Sequence, residues 1–230
     1  MDDAPPESLT LATGETAKPR RYTFSQDLVT LHDGRDSEAE AVRTIRTHLV
    51  ARHLNDGRRG LAVCGPKAGV GCTFTAANLA VAMSQIGVST LLIDTDLRRP
   101  GLEAFIRPET PPVSARDQAD ANDPLINVHP EVIPNLSLLY ASSLSGSAGE
   151  LLAGQGFRRL MDRCMRDFDF TIVDTAPTSE GADALRVASI VGYALVVART
   201  NVSLLKDVDT LAKELQEDGA RIVGSVLNEI

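Results

Sequence analysis

Six short apolar runs, separated by segments of helical pattern, constrain the fold of this chain more than any other feature. They lie at residues 60–64, 89–94, 136–140, 170–174, 194–198 and 222–227. The runs are continuously apolar, which is typical of strands in a parallel sheet that is buried on both faces. Strands that alternate with helices are joined by right-handed crossovers. The sequence therefore predicts an α/β fold with a doubly wound, mostly parallel sheet.

The segments between and before these runs predict the helices and the domain limits. Helices are expected at residues 37–54, 73–85, 149–166 and 204–217, with a short one near residue 182 and with Ser37 as the N-cap of the first. Residues 109–131 are polar, contain four prolines and are expected to form a loop. Residues 1–36, rich in Pro, Asp, Glu and Thr, predict a disordered tail. We therefore expect one nucleotide-binding domain at residues 37–230.

Composition narrows the class of protein. The formal net charge of −8 argues against a nucleic-acid partner, since that role needs a positive surface. The three cysteines have no metal-ligand spacing, which indicates a reduced protein without a structural disulfide. The first residues lack the apolar core of a signal peptide, and the longest apolar stretch, 188–198, is far shorter than the roughly 20 residues that span a bilayer. A cytoplasmic location is the resulting expectation.

A glycine-rich turn follows the first apolar run and precedes a helix. It reads Gly-Pro-Lys-Ala-Gly-Val-Gly-Cys-Thr over residues 65–73. Backbone N–H groups at such a helix N-terminus suit phosphate, although glycine-rich turns alone are weakly specific. The residues expected to bind a nucleotide here are Gly69, Val70, Gly71, Cys72, Thr73 and Phe74.

Carboxylates end two other apolar runs. Asp94 and Asp96 close the run at 89–94, and Asp174 closes the run at 170–174. Ligands of doubly wound sheets bind at the carboxyl ends of the strands, and buried carboxylates there are costly unless they hold a cation or a proton. Together with the glycine-rich turn, these residues predict a nucleotide and Mg²⁺ site.

The motifs form a set that resembles a known family. Asp94-x-Asp96-x-Arg98 and Asp174-Thr-x-Pro are similar to the paired acidic motifs of the bacterial tyrosine kinases (BY-kinases) that control capsule and exopolysaccharide assembly. Three further matches are Glu40-x-x-Arg43-x-x-Arg46, Pro134-Asn-Leu followed by Glu150-Leu-Leu, and Gly224-x-x-Leu-Asn228. The resemblance covers residues 37–230 and is specific as a set.

The resemblance implies roles for these residues. Asp94 and Asp96 would serve Mg²⁺ and hydroxyl activation, Asp174 would complete the metal shell, and Thr73 would be a direct metal ligand. Asn228 would read the adenine of ATP or ADP. Glu40, Arg43 and Arg46 would form an oligomerisation helix. The implied partner is a membrane-embedded polysaccharide copolymerase, which would hold the chain at the inner membrane.

Two departures put catalysis in doubt. Cys72 occupies the lysine position of the motif G-x-x-x-x-G-K-[ST], which makes the Walker A motif degenerate. The sequence ends soon after Asn228, so the tyrosine-rich segment that such kinases phosphorylate is missing from it, and Tyr22 is left as the candidate phosphoacceptor.

Lys67 complicates this interpretation. The stretch Lys67-Ala-Gly-Val-Gly resembles the signature-lysine loop of partitioning ATPases, whose lysine reaches the phosphates of a partner subunit. Lys67 is either such a catalytic lysine or a solvated loop lysine. The favoured function is a kinase-like regulator of exopolysaccharide synthesis with weak or absent activity. The alternatives are an active tyrosine autokinase and a cargo-positioning ATPase.

Overall fold

The computed structural model describes residues 21–32, 34–109, 127–141 and 148–229. The strands in these residues are β1 (Tyr22–Phe24), β2 (Gly60–Cys64), β3 (Thr90–Asp94), β4 (Ile106–Pro108), β5 (His129–Ile133), β6 (Leu136–Leu139), β7 (Phe170–Asp174), β8 (Tyr193–Arg199) and β9 (Arg221–Asn228). The helices are α1 (Asp36–Arg52), α2 (Cys72–Ser84), α3 (Ala148–Ala153), α4 (Gln155–Asp167), α5 (Asp183–Val191) and α6 (Leu205–Glu217).

Seven of the strands form one sheet in the order β5-β6-β3-β7-β2-β8-β9. Strands β6, β3, β7, β2, β8 and β9 are parallel, and β5 pairs antiparallel with β6 at one edge. Strands β1 and β4 pair in a separate two-stranded antiparallel sheet. The predicted α/β fold with a mostly parallel sheet is confirmed.

Helices cover both faces of the sheet, which explains the continuous apolar runs. In β2, Leu61 and Val63 pack on the face that α1 and α2 cover. Ala62 and Cys64 face the opposite way, into the core beneath α4, α5 and α6. Because every side chain of the strand is buried, no polar alternation is needed.

Three local expectations are wrong. Helix α1 begins at Asp36 after Arg35, and the Ser37 hydroxyl donates to Glu38 and does not cap the helix. The single helix expected at 149–166 is interrupted at Gly154, where the backbone is extended between α3 and α4.

Residues 129–133 form strand β5 and not a loop, because an edge strand needs only one buried face and its sequence carries a weak apolar signal. Residues 110–126 of that expected loop lie outside the described residues.

The folded part of the chain also begins earlier than expected. Residues 1–20 lie outside the described residues, but β1 pairs with β4, and Leu28 and Val29 are fully buried. These elements are too short to give a periodic signal in the sequence. Tyr22 lies in β1, is half-buried, and its hydroxyl is 3.0 Å from Nδ1 of His129. The candidate phosphoacceptor is therefore held in a strand and not in a free tail.

Among the helices in the described parts of the chain, none combines the length and the apolar character that crossing a bilayer requires.

Candidate nucleotide-binding site

The glycine-rich turn between β2 and α2 forms a phosphate-loop geometry. Gly71 precedes the first residue of α2 with φ +97°, a conformation that favours glycine. A Cβ atom on Gly71 would lie 2.2 Å from Nδ2 of Asn228, so a larger residue here would also have to displace the Asn228 amide. The free N–H groups of the first turn of α2 lie at this point. A groove of about 300 Å³ runs along the loop and is lined by Lys67, Ala68, Gly69, Val70, Gly71, Cys72, Thr73, Phe74, Asp96, Arg99, Phe105, Thr175 and Pro177.

Hydrogen bonds from three other segments hold this loop. The backbone N–H groups of Thr178 and Ser179 donate to the carbonyl oxygens of Gly65 and Pro66, at 3.0 and 3.1 Å. Nη1 of Arg199 donates to the Gly69 carbonyl at 3.0 Å. Nδ2 of Asn228 donates to the Val70 carbonyl at 3.3 Å. These bonds fix the loop to the turn after β7 and to the ends of β8 and β9.

Cys72, the first residue of α2, is turned inward. Its Sγ lies 2.7 Å from the position that a Cβ atom on Gly65 would take, so the thiol fills the space beneath the loop. Burial raises the pKa of this thiol well above its usual value, and the negative charge of Asp174 adds to the effect. A neutral thiol therefore stands where the usual motif places an ammonium group.

Lys67 is directed away from the middle of the groove. Its Nζ lies 2.6 Å from Oδ2 of Asp207 in the first turn of α6. Lys67 and Arg199 thus both connect the loop to the region around the start of α6.

Asp94 and Asp174 end the neighbouring strands β3 and β7 and pair directly across them. Oδ1 of Asp94 accepts the N–H of Asp96 at 3.0 Å, and Oδ2 accepts those of Gly101 and Leu102 at 2.9 and 3.1 Å. Burial raises the pKa of Asp94 to about 6, although these hydrogen bonds favour the charged form.

Asp174 has no such bonds. Both of its carboxyl oxygens are buried, and no group in the described parts of the chain hydrogen-bonds to them with good geometry. Burial, followed by the charge of Asp94, raises its pKa well above the usual value, while the Thr73 hydroxyl opposes the shift. A buried carboxyl without a partner is costly unless a cation or proton compensates it.

The carboxylates at the ends of β3 and β7 can be compared with what a metal ion requires. Within residues 21–32, 34–109, 127–141 and 148–229, no three His, Cys, Asp or Glu side chains form a metal-binding cluster. Magnesium in phosphate sites typically takes only one or two carboxylates, together with water and phosphate oxygens. Asp174, Asp94 and the Thr73 hydroxyl provide such a set beside the phosphate loop.

Asp96 shapes the turn that follows β3. Its Oδ1 accepts the N–H groups of Arg98 and Arg99, at 3.2 and 2.9 Å, and the side chain lines the groove. The structure thus brings Asp94, Asp96, Asp174 and Thr73 to one edge of the sheet, at the mouth of the glycine-rich loop. The expected role of each in catalysis or metal binding stays a prediction.

The sequence of this domain matches a known protein family. Residues 61–230 match the CobQ/CobB/MinD/ParA nucleotide-binding domain. The chain belongs to this family.

Curated relatives of this MinD/ParA-family chain are tyrosine kinases. It is 31% identical over 196 residues to the putative tyrosine-protein kinase EpsB of Ralstonia solanacearum, a match that covers 85% of this chain and 26% of EpsB. It is 26% identical to the putative tyrosine-protein kinase CapB of Staphylococcus aureus, covering 84% of each. The chain spans only about a quarter of the length of the first such relatives. These relatives agree with the resemblance found in the sequence.

Solved structures agree on the fold. The kinase domain of the Escherichia coli tyrosine kinase ETK matches with a TM-score of 0.76 and 25% identity, over 88% of this chain and 79% of that one. MinD of Pyrococcus horikoshii, solved with Mg-ADP, matches with a TM-score of 0.61 and 20% identity, over 74% of this chain and 69% of that one. The second similarity shows the MinD/ParA-type fold alone.

Asn228 lies at the junction of the loop with a second groove. This groove, of about 290 Å³, lies between α1, α2 and the end of β9, and Ala41, Val42, Ile45, Phe74 and Leu227 contribute apolar side chains to it. Asn228 and Phe74 border it, and Phe74 also lines the phosphate-loop groove. The reading of adenine by Asn228 stays a prediction.

The residues of the Glu40-x-x-Arg43-x-x-Arg46 motif in α1 differ in exposure: two lie at the surface and one is partly buried against α2. Glu40 and Arg43 form an ion pair at the surface, with 3.4 Å between Oε2 and Nη1. Arg46 is partly buried, and its Nη1 donates to the Ala82 carbonyl of α2 at 3.3 Å. Self-association through this helix stays a prediction, and Arg46 already serves the packing of α1 on α2 within this MinD/ParA-family domain.

The sequence did not show which acidic residues pair with Arg98 and Arg99. Arg99 pairs with Glu180, and Arg98 pairs with the buried Asp183 at the start of α5. The adjacent arginines after the Asp94-x-Asp96 motif were the only available signal, since the acidic partners lie more than 80 residues away along the chain.

Proposed function

We propose that this chain is a kinase-like, nucleotide-binding regulator of exopolysaccharide or capsule assembly. It binds ATP or ADP with Mg²⁺ and transfers phosphate weakly or not at all. One observation carries the proposal: Cys72, a partly buried residue, places a neutral thiol inside a phosphate loop whose other parts are intact.

Nucleotide binding is proposed from the glycine-rich loop and from the carboxylates at the ends of β3 and β7. Gly69, Val70 and Gly71 with the first turn of α2 offer backbone N–H groups to phosphate oxygens. Thr73, Asp94 and Asp174 would hold Mg²⁺, which neutralises phosphate charge when bound. The uncompensated carboxyl of Asp174 supports a cation at this position.

Reduced transfer follows from the missing ammonium group. The lysine of this motif bridges the β- and γ-phosphates, and each charge-assisted hydrogen bond contributes roughly 1.5–3 kcal/mol. The loss of one or two such bonds corresponds to about tenfold to somewhat more than ten-thousandfold in rate or affinity. Backbone amides and Thr73 remain, so we infer that binding persists while transfer is weakened.

The partner in this proposal is a membrane-embedded polysaccharide copolymerase, with the chain in the cytoplasm at the inner membrane. Support comes from the tyrosine kinases among the relatives, one of which is described as lying in a cps region. Pull-down with a co-encoded copolymerase, at low and high nucleotide concentration, tests this part. Recovery of the copolymerase at neither concentration contradicts it.

An active autokinase is the second candidate, because Asp94, Asp96 and Asp174 are all present at the site. A cargo-positioning ATPase is supported by Lys67 and by the family, which includes MinD and ParA. The pairing of Lys67 with Asp207 within one chain weakens that alternative.

Calorimetry of ATP and ADP with Mg²⁺, followed by turnover, tests the proposal on the wild type, Cys72→Lys and Cys72→Ala. The alanine variant separates loss of the thiol from gain of a charge. We expect all three to bind nucleotide and only Cys72→Lys to gain turnover. Turnover by the wild type that Lys67→Ala abolishes supports an enzyme instead. Absence of nucleotide binding in all variants contradicts the proposal.

A further inference from the structure

Arg99 lines the phosphate-loop groove together with Cys72 and Thr73. Its backbone N–H donates to Oδ1 of Asp96 at 2.9 Å, which fixes the start of its side chain. Its guanidinium group pairs with the carboxylate of Glu180. Neighbouring carboxylates therefore hold both the backbone of Arg99 and its guanidinium group.

Glu180 is itself tied to the phosphate loop. It ends the short 3₁₀ turn Thr178–Glu180, in which the N–H groups of Thr178 and Ser179 donate to the loop carbonyls of Gly65 and Pro66. The position of the Arg99 guanidinium is therefore coupled to the loop through two hydrogen bonds and one ion pair.

The described lining of this groove contains two cationic side chains, Lys67 and Arg99. Lys67 is held at Asp207 by its 2.6 Å contact. Arg99 pairs with a carboxylate beside the loop, and 57% of its side chain is exposed, so its guanidinium can turn toward a ligand at low cost.

We propose that Arg99 supplies the positive charge that Cys72 removes, and that it binds the β- and γ-phosphates of a nucleotide in this groove. The inference rests on the proposed function, since it assigns a phosphate-binding residue within the same site. A guanidinium group has five N–H donors in a planar fork. One edge can stay on Glu180 while the other meets phosphate oxygens. Glu180 neutralises Arg99 when no phosphate is present.

A double-mutant cycle separates this role from that of an ordinary surface ion pair. It compares ATP affinity, by calorimetry with Mg²⁺, in the wild type, Arg99→Ala, Cys72→Lys and the double variant. Arg221→Ala is the matched control, because it removes one exposed arginine at the opposite, amino-terminal end of β9. Lys67→Ala tests the other cation of the groove.

We expect Arg99→Ala to weaken ATP binding about tenfold to a hundredfold in the wild-type background, as loss of one charge-assisted contact predicts. In the Cys72→Lys background the loss should shrink to about threefold or less, because the restored lysine takes over the phosphates. Arg99→Lys, which keeps the charge, should recover part of the affinity. Melting temperatures confirm that each variant is folded.

Three results overturn the inference. In the first, Arg99→Ala binds ATP as well as Arg221→Ala does. In the second, Arg99→Ala loses the same factor in both backgrounds, or Arg99→Lys is as weak as Arg99→Ala. In the third, only Lys67→Ala loses affinity. If the wild type binds neither ATP nor ADP, the proposed function itself is wrong, which is distinct from these three results.

Discussion

Asp94 and Asp174 are cross-strand partners at the carboxyl ends of β3 and β7, yet in the described parts of the chain only the Asp94 side chain accepts hydrogen bonds of good geometry. Burial raises the pKa of both carboxyls, and a nearby negative charge adds to each shift: that of Asp96 for Asp94, and that of Asp94 for Asp174. The pair therefore favours a proton or a cation between the strands, so we expect stability to depend on pH.

The first prediction concerns pH in the absence of Mg²⁺. The Asp94 pKa is raised from 3.8 to about 6, so the folded state holds its proton more tightly than the unfolded state does. The resulting stabilisation is present below pH 3.8 and is lost as the pH rises through about 6, with Asp174 extending the loss to higher pH. We expect the free energy of unfolding in urea to fall across this window.

Asp174→Asn, which removes one buried charge, should flatten this dependence and raise the melting temperature at pH 8 by a few degrees, about what 1 kcal/mol gives in a chain of this size. Asp162→Asn, at an exposed position of α4, should leave the slope unchanged. An Asp174→Asn variant with the wild-type slope contradicts the assignment of the pH dependence to this pair.

Gly71→Ala tests the phosphate loop. An alanine at this position would have to adopt φ +97°, and its Cβ atom would lie 2.2 Å from Nδ2 of Asn228. We expect a loss of about 1–3 kcal/mol in the free energy of unfolding, as for other strained backbone positions, together with weaker nucleotide binding. Gly156→Ala is the control, because Gly156 lies in α4 with open space around its Cα. It should be neutral or stabilising by up to about 1 kcal/mol. Equal effects of the two substitutions contradict the prediction.

Thiol labelling tests how reactive the three cysteines are, of which Cys64 and Cys164 are buried and Cys72 is partly buried. Burial raises the pKa of Cys64 and of Cys164 to about 12, and that of Cys72 well above its usual value, so little thiolate forms at pH 8. Although cysteines at helix N-termini are often reactive, we expect iodoacetamide to modify none of the three in the folded protein. Labelling should rise only with unfolding in urea. Rapid modification of Cys72 at zero urea is the contrary outcome.

Substitutions in α1 separate association from folding. The exposed ion pair of Arg43 contributes little to stability, so Arg43→Glu should change the free energy of unfolding by less than about 1 kcal/mol. Arg46→Ala removes the hydrogen bond to the Ala82 carbonyl and should cost about 0.5–1.5 kcal/mol. If α1 mediates self-association, sedimentation will show that Arg43→Glu reduces it. If Arg43→Glu and Arg46→Ala lose the same stability, the conclusion that only Arg46 contributes to the packing of α1 on α2 is wrong.

The sequence predicted the strands of the parallel sheet well, because a strand that is buried on both faces is mostly apolar, as in β2. It also predicted that Asp94 and Asp174 lie together, since the carboxyl ends of parallel strands share one edge. Strands β1 and β5 were missed. Each is short or lies at an edge, so few of its residues are constrained to be apolar.

Side-chain direction was not predictable. The sequence shows that Cys72 replaces a lysine, but not that its thiol lies beneath the loop against Gly65. It shows Lys67 and Arg99, but their partners Asp207 and Glu180 come from distant segments that only the tertiary fold brings near. Charge pairs between loops leave no periodic pattern in a sequence, which is why these contacts required the structure.

The carbonyl oxygens of the phosphate loop are occupied by donors from the turn after β7, from Arg199 and from Asn228. The loop is therefore held in one shape without a nucleotide, and we expect little conformational entropy to be lost in the loop on association. Such preorganisation favours rapid, rigid-body capture of a ligand. Arg199 and Asn228, at the ends of β8 and β9, donate to carbonyl oxygens of the loop. A substitution of either residue would therefore alter the loop that faces the phosphates of a bound nucleotide.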